Sequence, residues 1–363
     1  MGSNHAKDPF TGTRSLIDKD HPLYKEYFRK GTVAVIGGGS FGTTLANLVA
    51  ENCSDVRMWV REEEQARNIN ATRTTKYIPG IPLNPKVHAY SGPERIFEGG
   101  VTAVIWALPA KVCREQAKAL AKNFRGDEIV LHSTKGIEDG TLKTPCMILR
   151  EELPCARVGV ISGPNLADEI SKGQPAATVV ASKFDEVIRA GQILLTSKTF
   201  RIYGSNDVVG VEWAGTLKNI FAIAAGTLDA LNLGWNSRSM LMTRGLAEMV
   251  RFGAAMGGDV STFLGLAGVG DLFATCSSNL SRNYRVGIKL AQGQKVEQIV
   301  AELGSTAEGV RTARIVAQFA KKKGISMPIT DGVVAMLDGS ASAQDALREL
   351  MTRPPMFEEG IPD

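Results

Sequence analysis

Apolar and polar positions change their rhythm once along this chain. Between Thr32 and Tyr203, short apolar runs alternate with stretches of helical spacing; from Val208 onward only the helical spacing remains. Thr32–Ile36, Asp55–Val60, Val101–Ala107, Glu128–His132 and Arg157–Ile161 read as strands. Val101–Ala107 is apolar on both faces, as in the interior of a parallel sheet. Helices are expected over Glu62–Asn70, Lys111–Phe124 and Leu166–Ser171, and the Pro- and Gly-rich stretch Tyr77–Pro85 reads as a surface loop. Ala176–Ala181 and Thr199–Tyr203 read as two last strands, antiparallel or at the edge, closing this part near Gly204. Beyond it the pattern predicts helices over Val208–Asn232, Ser237–Met256, Ser281–Ala291, Val296–Leu303, Gly309–Lys323 and Ala343–Met351.

The first strand runs straight into Gly37-x-Gly39-x-x-Gly42, and helical spacing resumes at once through Leu45, Ala46, Leu48 and Val49. Strand, glycine turn and helix start form a dinucleotide-binding unit, with the pyrophosphate on the free N–H groups of the helix. The fold class is therefore an α/β Rossmann N-terminal domain with a mostly parallel sheet, followed by an all-α C-terminal domain. Its boundaries are an extension over 1–30, the dinucleotide domain over 31–205, the helical substrate domain over 206–352 and a tail over 353–363. Arg61 ends the second strand, where an acid would bind a ribose 2′-hydroxyl. A guanidinium there suits a 2′-phosphate or lies flat on adenine, so NADP is expected to be accepted alongside NAD. The plainer reading makes Arg61 the first charge of a solvated run, Arg61-Glu-Glu-Glu64.

Composition narrows the class. With 363 residues, 44% hydrophobic and 22% charged, the chain has material for two cores. A net charge of +4, dispersed and without a basic stripe, argues against nucleic acid yet favours an anionic substrate. Five widely spaced cysteines without a C-x-x-C pair suggest neither a disulfide framework nor a metal site. No apolar run is read as reaching the roughly 18 residues of a membrane span. No secretory leader is read either, which makes the cytoplasm the default address.

Candidate chemistry lies at strand ends and on one helix. Lys135 stands in Ser133-Thr-Lys-Gly136, directly after a predicted strand, where open parallel sheets place ligands. Ser162-Gly163-Pro164-Asn165 follows the next strand in the same way. In Val211–Leu231 an apolar stripe (Trp213, Leu217, Ile220, Phe221, Ala224, Leu228) leaves Lys218 on a face of small residues, Ala214, Gly215, Ala222 and Ala225. A ligand could approach closely there, and desolvation would tune the lysine toward proton transfer; alternatively it snorkels to water. Downstream, Asp271 in a glycine-bracketed turn could orient a lysine, and Arg282 could fork a phosphate. Each could also be an ordinary cap or surface charge.

Taken together, Gly37-Gly-Gly-Ser-Phe-Gly42, Ser133-Thr-Lys-Gly136, Gly163-Pro-Asn165, Leu217-Lys-Asn219, Gly268-Val-Gly-Asp-Leu272 and Ser281-Arg-Asn283 resemble the ordered motifs of NAD(P)-dependent glycerol-3-phosphate dehydrogenases. The resemblance spans about residues 32–350. It implies reversible hydride transfer between sn-glycerol 3-phosphate and dihydroxyacetone phosphate, a supply of glycerol 3-phosphate for glycerophospholipids, and a homodimer. It makes Lys218 the base, with Lys135 polarising the same oxygen and Asp271 and Thr275 orienting the lysine. Gly163, Asn165, Asn219, Ser281, Arg282 and Asn283 become substrate contacts together with Lys135 and Asp271. Gly37, Gly39, Ser40, Phe41, Gly42, Arg61, Lys135, Ala167, Arg282 and Glu308 become cofactor contacts. A 3-hydroxyacid or 6-phosphogluconate dehydrogenase is the nearest alternative enzyme, opposed by the Gly268–Asp271 and Ser281–Asn283 signatures. A cofactor-binding sensor without chemistry would explain neither lysine.

Overall fold

The computed structural model describes residues 22–303 and 307–354. Most of the expected N-terminal extension and tail, 1–21 and 355–363, lie outside the described residues. Two compact units divide the chain. One comprises the described part of Met1–Thr134 with Cys146–Ile161 and Ala167–Asn206; the other comprises Lys135–Pro145, Ser162–Leu166 and the described part of Asp207–Asp363.

The first unit is built on an eight-stranded sheet. Its strands are β1 (Thr32–Ile36), β2 (Asp55–Trp59), β3 (Val87–Tyr90), β4 (Ala103–Trp106), β5 (Ile129–His132), β6 (Val158–Ser162), β7 (Ala176–Ala181) and β8 (Phe200–Ser205), in the order β3-β2-β1-β4-β5-β6-β7-β8. β1 pairs in parallel with β2 on one side and β4 on the other, so the order reverses at β1. Open sheets place their ligands at such a switch point, beyond the carboxyl ends of the strands. The helices of this unit are α1 (Pro22–Lys30), α2 (Ser40–Ala50), α3 (Glu63–Thr72), α4 (Pro93–Phe97), α5 (Cys113–Leu120), α6 (Pro145–Glu152), α7 (Ala167–Ser171) and α8 (Asp185–Leu195).

Three local expectations change. β7 and β8 pair in parallel, not antiparallel, with β8 at the edge. The segment between them carried no prediction but forms α8, and parallel neighbours need such a crossover. β3 and α4 also appear where nothing was predicted, because runs of four and five residues show too little periodicity. Finally, Pro22–Lys30 is no extension: α1 buries Tyr24 and Phe28 in the core of the sheet unit, and the Tyr24 hydroxyl donates to the Glu186 carbonyl at 2.7 Å.

In the second unit, α9 (Val208–Ala230) is the axis. Asp207 caps it, its carboxylate accepting from the Gly210 N–H at 2.9 Å. Around it follow α10 (Trp235–Ala255), α11 (Val260–Phe263), a π turn at Leu266–Gly270, α12 (Asp271–Cys276), α13 (Arg282–Ala291), α14 (Val296–Glu302), α15 (Glu308–Lys323), α16 (Pro328–Leu337) and α17 (Ala343–Met351). Contrary to the expectation that no apolar run is long enough, α9 could cross a membrane by length and hydropathy alone; yet 94% of its apolar window is buried inside the protein. Helices α10, α12, α13, α15 and α16 pack against it. It is the core helix of this unit.

Glycines set the α9–α13 crossing. A Cβ on Gly226 would stand 1.9 Å from the Tyr284 carbonyl oxygen, and one on Gly287 would stand 1.9 Å from that of Ile223. Backbone thus lies on backbone from both sides, and the start of α13 is carried to a fixed place on α9. The five cysteines are buried and form no disulfide. Gly287→Ala should destabilise the unit by about 1–3 kcal/mol, the usual result of overpacking; a denaturant midpoint equal to the parent's would refute this close crossing.

Candidate active site

At the end of β1 the chain turns through Gly37, whose φ of +113° favours glycine. A Cβ on Gly42 would stand 1.9 Å from the Gly37 carbonyl oxygen, so the first turn of α2 lies directly on the strand end. Gly39 differs, with nothing within 4 Å of where its Cβ would be. It is the N-cap of α2, with no side chain bonded to the helix start. The open space over Gly39 and the uncapped N–H groups form a cradle that fits a pyrophosphate. Ser40 and Phe41 open α2, and the Ala167 carbonyl accepts from the Thr44 hydroxyl at 3.5 Å, which brings the start of α7 beside α2. Arg61 follows β2 as expected; it is exposed and paired with Glu62 at 2.7 Å. That pairing fits the solvated-run reading of Arg61 without removing the guanidinium from reach of a ligand.

The chemistry of the second unit centres on one carboxylate. Asp271 is the first residue of α12, directly after the glycine-rich π turn, and is 1% exposed. Its Oδ2 accepts from Lys135 Nζ at 2.5 Å, while its Oδ1 accepts from Lys218 Nζ. Lys218 Nζ also donates to Thr275 Oγ1 at 2.6 Å, one helical turn beyond Asp271. Lys135 Nζ lies 3.5 Å from the Gly163 carbonyl oxygen. Two ammonium groups around one carboxylate leave a surplus positive charge at a buried site. The Lys218 amine is brought down to about 7, chiefly by burial; Asp271 opposes the shift and the Lys135 charge adds to it. Lys218 does not snorkel.

One of the small residues near Lys218 makes room for protein atoms. A Cβ on Gly215 would lie 2.5 Å from Ser162 Oγ and 3.7 Å from Lys135 Cε. The bare face of α9 there admits the two loops that leave β5 and β6, so part of it is filled by protein. Ser162 was not singled out from sequence; its buried hydroxyl has no hydrogen-bond partner among the described residues.

The remaining predicted residues gather at the starts of two helices. Ser281 caps α13, its Oγ accepting from the Tyr284 N–H at 3.3 Å. Asn283 is buried and its Oδ1 accepts from the Gly309 N–H at 3.0 Å, joining the start of α13 to that of α15, where Glu308 is the first residue. A Cβ on Gly309 would meet the Asn219 carbonyl oxygen at 2.6 Å, so Asn219, which directly follows Lys218 in sequence, shares one neighbourhood with Asn283 and Glu308. Arg282 projects from α13 as an exposed residue. Asn165 is half-buried in the Ser162–Leu166 segment of this unit. Elsewhere on the unit, α9, α10, α16 and α17 enclose an apolar cleft of about 470 Å³ that shares no residue with the lysine cluster.

Comparison with known proteins agrees with this layout. The N-terminal profile of the NAD-dependent glycerol-3-phosphate dehydrogenases matches residues 32–188, and their C-terminal profile matches 207–348. The chain belongs to this family. The glycerol-3-phosphate dehydrogenase [NAD(P)+] of Saccharophagus degradans is 44% identical over 92% of this chain and 93% of its own. That of Pseudomonas paraeruginosa is 45% identical over 89% and 95%. Among solved structures, the glycerol-3-phosphate dehydrogenase of Coxiella burnetii is 34% identical with a TM-score of 0.84, covering 89% of this chain and 99% of the other. Membership in the dehydrogenase family, with NAD or NADP as cofactor, accounts for a glycine cradle and a lysine pair in one chain.

Gly39 allows the cradle to be tested apart from folding. Because its backbone is extended and the space above it is open, Gly39→Val should keep the melting temperature within a few degrees. The same side chain should weaken NADH binding by more than about tenfold through steric exclusion from the pyrophosphate site. Unchanged affinity in a fluorescence titration would show that the dinucleotide lies elsewhere.

Proposed function

We propose that this chain interconverts sn-glycerol 3-phosphate and dihydroxyacetone phosphate, with Lys218 as proton acceptor and donor at the C2 oxygen. The observation that carries this reading is the pair of amines held on the single buried carboxylate of Asp271. A bound nicotinamide dinucleotide would supply the acceptor for the C2 hydride in oxidation and its donor in reduction. Lys218 takes the hydroxyl proton; an amine brought down to about 7 is substantially neutral near physiological pH and can do so. Lys135 donates a hydrogen bond to the same oxygen and stabilises negative charge as it develops there. Asp271 and Thr275 hold the Lys218 side chain in one orientation.

Gly163, Asn165, Asn219, Ser281 and Asn283 contact the substrate, and the exposed Arg282 clamps its phosphate and reaches the cofactor. Gly37, Gly39, Ser40, Phe41, Gly42, Ala167 and Glu308 hold the dinucleotide, and Arg61 admits the 2′-phosphate of NADP. The sheet unit serves as the dinucleotide domain, and the helical unit, which includes Lys135–Pro145 and Ser162–Leu166, as the substrate domain. Resemblance to the family further supports a cytoplasmic homodimer that supplies glycerol 3-phosphate to glycerophospholipid synthesis.

Consumption of NADH or NADPH with dihydroxyacetone phosphate, followed at 340 nm, tests the activity directly. Lys218→Met should lower kcat by about 10² to 10⁴, the usual worth of a positioned acid–base group; a loss of only a few-fold would reject it as the base. In the oxidative direction, kcat should rise as the pH passes about 7, where Lys218 becomes neutral. Lys135→Met removes a like charge that holds the amine down, so the limb should move to higher pH. A limb that stays in place or moves lower would separate the two lysines electrostatically.

A further inference from the structure

We infer that Thr216 is a positioning residue for the lysine pair: its hydroxyl on α9 holds the backbone beside Lys135 and so fixes where that amine stands relative to Lys218. The inference rests on the proposed roles of the two lysines.

Thr216 lies two residues before Lys218 and is 1% exposed. Its Oγ1 accepts from the Gly136 N–H at 3.1 Å in a wholly buried contact. Gly136 directly follows Lys135, so this one bond ties the loop carrying one amine to the helix carrying the other. The neighbouring Gly215 lets the Lys135 side chain pass, its Cε 3.7 Å from the place a Cβ would occupy. Thr216 and Gly215 therefore set the backbone anchor and the side-chain path of Lys135, respectively. Asp271 alone would leave the arrangement underdetermined: a flexible lysine can reach a carboxylate oxygen from several backbone positions. With Gly136 held, the Lys135 ammonium is directed to Oδ2 and the Lys218 ammonium to Oδ1.

Valine nearly matches threonine in shape but cannot accept a hydrogen bond, whereas serine can. Thr216→Val leaves the Gly136 N–H unpaired, and the loop drifts away from α9. Small displacements of positioned groups have large kinetic effects. The expected result is a kcat lower by on the order of ten- to a hundredfold, with the KM for dihydroxyacetone phosphate and the dissociation constant of NADH within about twofold of the parent. A Lys135 charge placed farther off depresses the Lys218 amine less, so the oxidative pH limb should move to higher pH, as in Lys135→Met. Thr216→Ser should restore both kcat and the limb.

A parental kcat in Thr216→Val would overturn the inference. So would a lowered kcat with an unmoved limb, which marks general loosening, or a Thr216→Ser variant as impaired as the valine one. If Thr216→Val does not fold, Thr216→Ala carries the same comparison, because it also lacks the acceptor. Lys218→Met measured alongside separates the two levels. If it retains turnover, the assignment of the base fails; if it is inactive while the Thr216 variants match the parent, only the positioning role fails.

Discussion

Everything in the helical unit converges on the carboxylate of Asp271. Two ammonium groups cannot share a buried site without a counter-charge, since desolvating each is unfavourable by several kcal/mol and their repulsion adds to it. Asp271 supplies that charge, and its two oxygens are divided between the two amines. The carboxylate is itself placed by the glycine-rich turn at Leu266–Gly270, which ends where α12 begins. Thr275, one turn farther along the same helix, adds a neutral acceptor that favours one rotamer of Lys218. When Lys218 is protonated one positive charge is in surplus, which suits an oxygen that gains negative character.

The division of the chain explains how loops from a sheet reach a helix. Lys135–Pro145 follows β5, and Ser162–Leu166 begins at the last residue of β6, yet both group with the helical unit. The lysine pair, Gly163 and the residues that orient them thus sit on one compact body. The dinucleotide cradle belongs to the other, where Gly37 and Gly42 press α2 onto β1. On the proposed reading, binding the hydride carrier and handling the proton fall to different parts of the chain.

Much of this was legible in the sequence because it follows from short-range rules. The Gly37–Gly42 turn, the strands with apolar residues on both faces and the change to helical spacing after Val208 are all local signals. The motifs around Lys135, Lys218 and Asp271 were legible as separate candidates, since loops at strand ends and glycine-bracketed acids are recognisable singly. Their sharing of one carboxylate was not, because contacts across 53 and 136 positions leave no periodic trace. The same limit hid the contact of Thr216 with Gly136 and the packing of Ser162 over Gly215. Parallel pairing of β7 with β8 was missed for a related reason: it depends on recognising α8, an amphipathic segment, as a crossover.

The burial of α9 also bears on how the protein is made. Its apolar surface is covered chiefly by α13, with α10, α12 and α15 on its other sides, and the last residue of α13, Ala291, lies well downstream of Ala230. A ribosome extending the chain by roughly 5–20 residues per second leaves this helix without its principal partner for about 3 to 12 seconds. During that interval a stretch apolar enough for a lipid bilayer is exposed to the cell. The glycine-mediated seating of α13 is thus the step that closes the largest part of this surface.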